Sequence, residues 1–437
     1  MSGCHSHIRP PATVVEIART LHDAGHETWC VGGAVRDALL GLGHLDWDLA
    51  TAATPQQVRR LFRRTIPVGV EFGTVGVLDA AGTLHEVTTF RRDVQTDGRH
   101  AVVEFGASLD EDLARRDFTI NAIAFHPITH ELHDPFRGRA DLESRLVRAV
   151  GVAAERMHED RLRALRAIRF AARFDFDIEQ STWNAIVESA PHLSRLSPER
   201  VRQEIEKTMD QVKCPSNAFV RWRNAGAFGI LVPALARVND TTLSACDMLP
   251  PHGMRTRPDR RALRLAALFS ELDFRAVERA MKALRFSNRD TAFVATLVGH
   301  WRDSRELLER MLADGAADDG DVRRMAARVG RLRVAPFGRV ANAIWNACRS
   351  AGQRAPEKRA VRLFYRRLLH SAFHDPIELA DLAIDGDDLR SAGIPGGKHV
   401  GKILARMLDD VLNDPANNQR QLLLDRAKQM WETTGKE

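Results

Sequence analysis

The sequence predicts an α+β fold, with a head of mixed strands and helices over residues 1–142 and an all-helical remainder. Three observations carry this. Thr65 to Phe90 alternates like two strands, IPVGVEFGTVGVLDA and TLHEVTTF, about a turn at Gly82. The same region holds helical spacing, as in Val14, Val15, Ile17, Ala18 and Leu21. After about Leu142 strand-like runs become few, and helical spacing with Arg-rich polar faces continues to the end.

The length of 437 residues suggests two to four domains, and 44% apolar residues suffice for real cores. We divide the chain into a head (1–142), a neck (143–212), a body (213–350) and a tail (351–437), with linkers or long turns at Gly315–Asp321 and Ser350–Pro356. The formal charge of +6 is Arg-heavy and suits a polyanionic partner, though a charge of this size is ordinary. The five cysteines are scattered without a Cys-x-x-Cys pair, which indicates neither a zinc site nor a disulfide framework. No apolar run approaches a membrane span and the N-terminus lacks an apolar signal core, so no membrane role and a cytoplasmic location are expected.

In the head, the run Trp29–Val31 ends at Gly32-Gly33, and a short helix is expected from Ala34 to Leu40. A Gly-Gly turn at a helix start lets backbone N–H groups approach a phosphate, with Arg36 one turn further on as a cationic clamp. A strand is expected from about Leu45. It would project Asp46 and Asp48 from one face, since residues two apart on a strand point the same way. Paired carboxylates seat Mg²⁺, which takes oxygen ligands and shares its shell with substrate phosphates. Glu86 is the natural third acid on a neighbouring strand, and equally an ordinary exposed polar residue. Thr54-Pro55-Gln56 reads as a cap and helix start running to about Arg63, and Thr89–His100 as a mobile polar loop. Arg115, Arg116 and Asp117 then precede an apolar element, a pattern suited to triphosphate or ribose contacts.

Glu159–Arg169 is expected as one helix, with Leu162, Leu165, Ile168 and Ala172 as its apolar seam and Asp160, Arg163, Arg166 and Arg169 stepping by three. Taken alone this is a ladder of ion pairs. An Asp acceptor beside an Arg donor also fits the pairing edges of cytosine and adenine, which offer an amino donor beside a ring-nitrogen acceptor, and opposes uracil and guanine. Further on, Ser197 and Pro198 open a helix in which Arg200 occupies the place where a capping box would carry Glu or Gln. The turn Pro395–Lys398 could contact a phosphate but lacks P-loop spacing.

GGAVRDALLG…LDWDLAT, RRDFTINAIA, the HDPFRG turn, EDRLRALRAIRF and LSPERVRQEIEK occur in that order between Val31 and Lys207. They resemble the five motifs of the class II tRNA nucleotidyltransferases and bacterial poly(A) polymerases, whose heads are polymerase-β-like. The resemblance implies CCA addition to tRNA from CTP and ATP, with Mg²⁺ held by Asp46 and Asp48. It further implies that Arg116 contacts the nucleotide near Asn121, that Asp160 and Arg163 read the base, and that Arg166 and Arg169 lie along the nucleotide site. The tRNA acceptor arm would lie along the Arg-rich helical faces. Arg137 stands where the family usually has glycine, at what reads as a hinge between head and neck. Ser270-Glu271 stands where many relatives carry a hydrolase His-Asp pair, so we expect a body without that metal site and His300 as a structural residue. A poly(A) polymerase, a partial enzyme adding only CC or A, and a non-catalytic RNA-binding relative are the alternatives.

Overall fold

A computed structural model describes residues 8–43, 46–96, 101–249, 260–313 and 317–434, with 93–96, 101–103 and 434 in backbone only. The chain packs as two compact units, residues 1–212 with 217–236, and residues 213–216 with 237–437. Head and neck therefore share one unit.

The first unit is built on a seven-stranded mixed sheet. Its strands are β1 (Thr28–Val31), β2 (Asp48–Thr51), β3 (Thr65–Pro67), β4 (Thr74–Leu78), β5 (Leu84–Thr89), β8 (Ala124–Phe125) and β9 (Leu132–His133), in the order β3-β4-β5-β2-β1-β8-β9. Only β2 and β5 run parallel; the other pairs are antiparallel. The helices of this unit include α1 (Ala12–Asp23), α2 (Gly33–Leu39), α3 (Pro55–Leu61), α4 (Leu109–Ala114) and α5 (Gly138–Glu143) in the head. In the neck lie α6 (Ala153–Glu159), α7 (Leu162–Phe174), α8 (Gln180–Ser189) and α9 (Pro198–Gln211). Trp29, Val31, Ala50, Phe90, Leu113 and Val150 belong to the core beside β1. The α3 start is as the sequence predicts: Thr54 and Gln57 form a reciprocal capping box and Pro55 takes the first helical position.

Five expectations need correction. The stretch IPVGVEFGTVGVLDA is not one strand but β3 and β4, split by a short 3-10 turn at Val70–Phe72. The strand bearing the acidic pair begins at Asp48, not near Leu45, so Asp46 lies before it, and Leu45 lies outside the described residues. The ladder opposite ends there because β1 ends at Val31, the partner of Asp48, and Gly32 turns the chain away. The stretch Thr89–His100 is not a loop up to its tip: β6 (Arg91–Thr96) pairs with β7 (Ala101–Phe105) as an antiparallel ribbon, while the Asp97-Gly98 turn lies outside the described residues. Glu159–Arg169 is not one helix, since α6 ends at Glu159 and α7 starts at Leu162. Finally, Asp319–Asp321 is the first turn of a helix capped by Asp318, not a linker.

The HDPFRG turn is closely pinned. Asp134 accepts from the N–H groups of Gly138 (2.7 Å) and Arg139 (3.0 Å). Arg137 has φ 58°, the left-handed region that glycine occupies without strain. At Gly138 a Cβ would stand 2.1 Å from the Thr119 carbonyl oxygen, so only glycine lets α5 pack on the turn that carries Asn121.

In the second unit the helix Arg260–Leu268 precedes Ser270, whose side chain is buried. Lys282–Asp290 spans the end of one helix (Phe274–Ala283) and the start of the next (Asn288–Ala313). His300 is half-buried on the latter. The tail has its own apolar cluster, with Ile384, Leu389, Ile403, Met407 and Leu423, and Gly397 precedes the helix Lys398–Asn413. Arg323, in an Arg-rich stretch read as a candidate RNA face, instead donates to the carbonyls of Leu412 (2.7 Å) and Asn413 (2.8 Å). Among the described residues no helix is long and apolar enough to cross a membrane.

Candidate active site

The register of the sheet sets the acidic end of the site. Val31 pairs with Asp48, which puts the carboxylate beside the Gly32-Gly33 turn. Leu49 pairs with Val87 on parallel β5, so one step back along the same ladder Asp48 neighbours Glu86. The Asp48 carboxyl is pushed up to about 6, chiefly by burial and then by the negative charges of Glu86 and Asp46, with Arg116 opposing. Asp48 thus sits in a local excess of negative charge that a divalent cation would relieve. Among the described residues no three His, Cys, Asp or Glu side chains form a closed metal cage. An open pair of carboxylates instead fits a cation that completes its shell with water and phosphate oxygens.

Gly32 has φ 76°, and a Cβ there would stand 2.9 Å from Arg116 Nη1, so the turn can hold that guanidinium close only as glycine. Arg36 is only 3% exposed. It donates to Asp37 (2.7 Å) and to the Asn121 side chain, and packs 5.0 and 4.7 Å from the ring centres of Phe170 and Phe174. Burial lowers its guanidinium from the ordinary value, partly offset by Asp37. It lines the site, but its donors hold α2 to the turn at Asn121 and its charge faces α7.

Arg115 and Arg116 are both held by the buried Asp112, through separate oxygens at 2.9 and 3.2 Å. Burial would raise the Asp112 carboxyl, but the two guanidiniums hold it below its usual range. Asp117 is satisfied on both oxygens: Oδ1 accepts from Phe118 N and Asn121 Nδ2, each at 2.9 Å, and Oδ2 from Arg166 Nε (2.8 Å) and Nη2 (2.7 Å). Arg166 and Asn121 also keep its carboxyl low against the effect of burial. Asp117 thus positions Arg166 and Asn121, and has no free edge for a substrate.

At the neck, Asp160 and Arg163 are not partners through their side chains. Arg163 donates to Glu159 (2.6 Å) and to the carbonyl of Arg115 (3.0 Å). Asp160 Oδ1 accepts from Leu162 N at 3.0 Å and Oδ2 from Arg200 at 2.7 Å. Arg169 pairs with Glu204 at 2.7 Å in a pair exposed by only 4% and 2%.

These parts meet in one cleft of about 690 Å³. Gly32, Gly33, Arg36, Asp48, Arg116, Asn121, Asp160, Arg163, Arg166 and Arg169 all line it, so every residue singled out from the sequence does so except Asp46 and Glu86. Those two are exposed, and act on Asp48 through charge. The lining sets nine cationic side chains (eight Arg and Lys207) against Asp48, Asp117 and Asp160. Such an excess accommodates a polyanion as large as a nucleoside triphosphate.

The chain is 35% identical to the CCA-adding enzyme of Lactiplantibacillus plantarum over 423 residues, covering 94% of each chain. It belongs to the CCA-adding enzyme family. The CCA-adding enzyme of Limosilactobacillus fermentum is 33% identical, over 95% of this chain and 96% of that one. Residues 28–148 match the family described as the poly A polymerase head domain, and residues 175–238 the one described as a probable RNA and SrmB-binding site of polymerase A. The fold is similar to that of the Bacillus stearothermophilus CCA-adding enzyme in complex with CTP, at 29% identity and a TM-score of 0.76, over 98% of this chain and 100% of that one. A Thermotoga maritima CCA-adding enzyme complexed with tRNA shares the fold at 22% identity and a TM-score of 0.65, over 97% of each chain. As a class II CCA-adding enzyme the chain is a nucleotidyltransferase, a family that generally uses divalent metal ions.

Sequence reasoning did not single out Glu159, Arg173, Arg200 and Glu204 as parts of this CCA-adding site. Arg173 and Arg200 line the cleft, while Glu159 and Glu204 anchor Arg163 and Arg169. Arg173 reaches Asp37 at 2.9 Å. One signal pointed to Arg200, its place at a helix start that favours an acid. Glu159 stands four residues before Arg163, a spacing that allows their pairing, whereas the partners of Arg173 and Glu204 lie in other motifs, where spacing gives no sign of them.

Proposed function

We propose that this chain adds C and A to the 3′ end of tRNA, without a nucleic-acid template, using CTP and ATP and releasing pyrophosphate. The observation that carries the reading is the single cleft in which an arginine-rich wall joins the acidic end at Asp48 to Asp160 and Arg163, separately held groups whose acceptor and donor suit cytosine and adenine.

Arg116, held at the Gly32 turn, and Arg166, held by Asp117, receive the triphosphate. Both guanidiniums are oriented before substrate arrives, so less freedom is lost on binding. Asp160 accepts the amino N–H of the base and Arg163 donates to its ring nitrogen. Uracil and guanine present the opposite polarity, and a mismatch leaves charged groups unpaired. Asp46 and Asp48 would hold Mg²⁺, with Glu86 adding negative charge nearby. Bound there, a metal would lower the pKa of the tRNA 3′-hydroxyl and neutralise charge on the phosphates. The Asp48 carboxyl must be ionised for this, and a bound cation favours the ionised form, so transfer should decline with acid only below about pH 6. The residues orient the α-phosphate for in-line attack with pyrophosphate leaving opposite.

The test uses three tRNA transcripts, one lacking the whole CCA end, one lacking the final A, and one complete. Each is incubated with CTP, ATP or both, and the 3′ ends are sequenced. CCA restored only when both nucleotides are present supports the reading. Long A tails, CC or A addition alone, or no extension would each replace it with one of the alternatives.

A further inference from the structure

Asp160 lies at the break between α6 and α7 with extended backbone (φ −146°, ψ 106°). Leu162 N–H fixes Oδ1, but one hydrogen bond leaves the carboxylate free to turn about its Cβ–Cγ bond. The second restraint comes from forty positions later in the chain, where Arg200 in the first turn of α9 donates to Oδ2 at 2.7 Å. Nothing local favours a cation there. The start of a helix carries partial positive charge, Ser197 makes no side-chain cap, and no capping box forms. The interaction the structure gives Arg200 is with Asp160, and both residues line the cleft. At 30% and 29% side-chain exposure such a pair contributes little to stability.

We propose that Arg200 is a specificity-determining positioning residue, which locks the Asp160 carboxylate in the plane where it accepts an amino N–H from cytosine or adenine. A carboxylate oxygen offers two acceptor sites. Oδ1 serving Leu162 and Oδ2 serving Arg200 therefore each keep one, and clamping both ends fixes where the remaining lone pairs point. Without Arg200 the carboxylate can rotate, and discrimination against bases with a carbonyl in place of the amino group weakens although Asp160 is still present. This rests on the reading of Asp160 as the base acceptor.

The experiment measures kcat/KM for CTP and UTP on a tRNA lacking its 3′ end, with wild type, Arg200→Ala, Arg200→Lys, Asp160→Ala and the Asp160→Ala/Arg200→Ala double variant, and Tm for each. Arg200→Gln, which keeps much of the stem, replaces Arg200→Ala if the latter does not fold. The expected result is a CTP-over-UTP preference reduced about tenfold in Arg200→Ala, largely recovered in Arg200→Lys, and reduced no further when Arg200→Ala is added to Asp160→Ala. An unchanged ratio in Arg200→Ala alongside a reduced ratio in Asp160→Ala would overturn this inference alone. An equal rise in KM for both nucleotides would do the same, by making Arg200 a plain phosphate contact. An unchanged ratio in Asp160→Ala would instead overturn the reading of Asp160 itself.

Discussion

The two ends of the cleft handle charge in opposite ways. At the head end Asp48 faces Asp46 and Glu86, and its carboxyl is pushed up to about 6. At the neck end the charges are already matched: Arg163 by Glu159, Arg166 by Asp117, Arg169 by Glu204 and Asp160 by Arg200. The acidic end keeps a repulsion that a bound cation would relieve, so on the proposed reading it is completed by substrate and metal. The neck end is held by ion pairs before substrate arrives, which suits the base reading proposed for it, since discrimination between bases of similar size demands fixed groups. Selectivity comes from donors and acceptors that cannot adjust to the wrong partner.

The largest expected effect breaks the acidic end. Asp48→Ala should lower both C and A addition by at least about a thousandfold, roughly 4 kcal/mol of barrier, while a gel-shift assay still shows tRNA binding. Activity within about tenfold of wild type, a change of only ~1.4 kcal/mol, would remove Asp48 as a metal ligand.

Next comes the reading end. Asp160→Ala should reduce the CTP-to-UTP ratio of kcat/KM roughly ten- to hundredfold, the scale of one good base contact. An exposed ion pair alone would leave that ratio where it was.

The neck's matched pairs predict a stability effect of intermediate size. Glu204→Ala leaves the Arg169 guanidinium buried without its carboxylate and should cost about 3 kcal/mol in denaturant unfolding. Replacing both residues by leucine should cost clearly less. A single variant as stable as wild type would mean that water or Gln211 already serves Arg169.

The smallest effect sharpens the contrast by running the other way. Because the folded state holds the Asp48 proton up to about pH 6, stability falls as pH rises from the unfolded carboxylate value toward 6, and the whole loss is present above it. Asp48→Asn should therefore raise Tm at pH 7.5, by roughly 2–5 °C, and leave it nearly unchanged at pH 4. Mg²⁺ should raise the wild-type Tm at pH 7.5 more than at pH 5. A lower Tm for Asp48→Asn at pH 7.5 would show that Asp48 is favourably paired.

Much of this was legible in the chain. The Gly32 turn, α2, the α3 cap and the apolar seam of α7 follow from short-range patterns that leave little choice. Errors arose where a polar side chain competed with the backbone. Asp160 sits in a stretch with no proline or glycine, which reads as unbroken helix. Its own carboxylate takes the Leu162 N–H and ends the pattern, as short polar side chains do. The ribbon of β6 and β7 was hidden because charged residues mask its alternation, although Arg92 and Glu104 are cross-strand partners at 2.9 Å.

The sequence by itself determined the chemical inventory and its order: an acid pair after a Gly-Gly turn, two arginines before Asp117, and Arg163, Arg166 and Arg169 along α7. It fixed these because hydrophobic periodicity, turn chemistry and motif spacing act over a few residues. Tertiary structure alone decided which charge answers which. Pairing Asp160 with Arg200, Arg166 with Asp117 and Arg169 with Glu204 joins positions 35 to 49 residues apart. A guanidinium's partner depends on which carboxylate packing brings within about 3 Å, since the attraction does not depend on sequence separation.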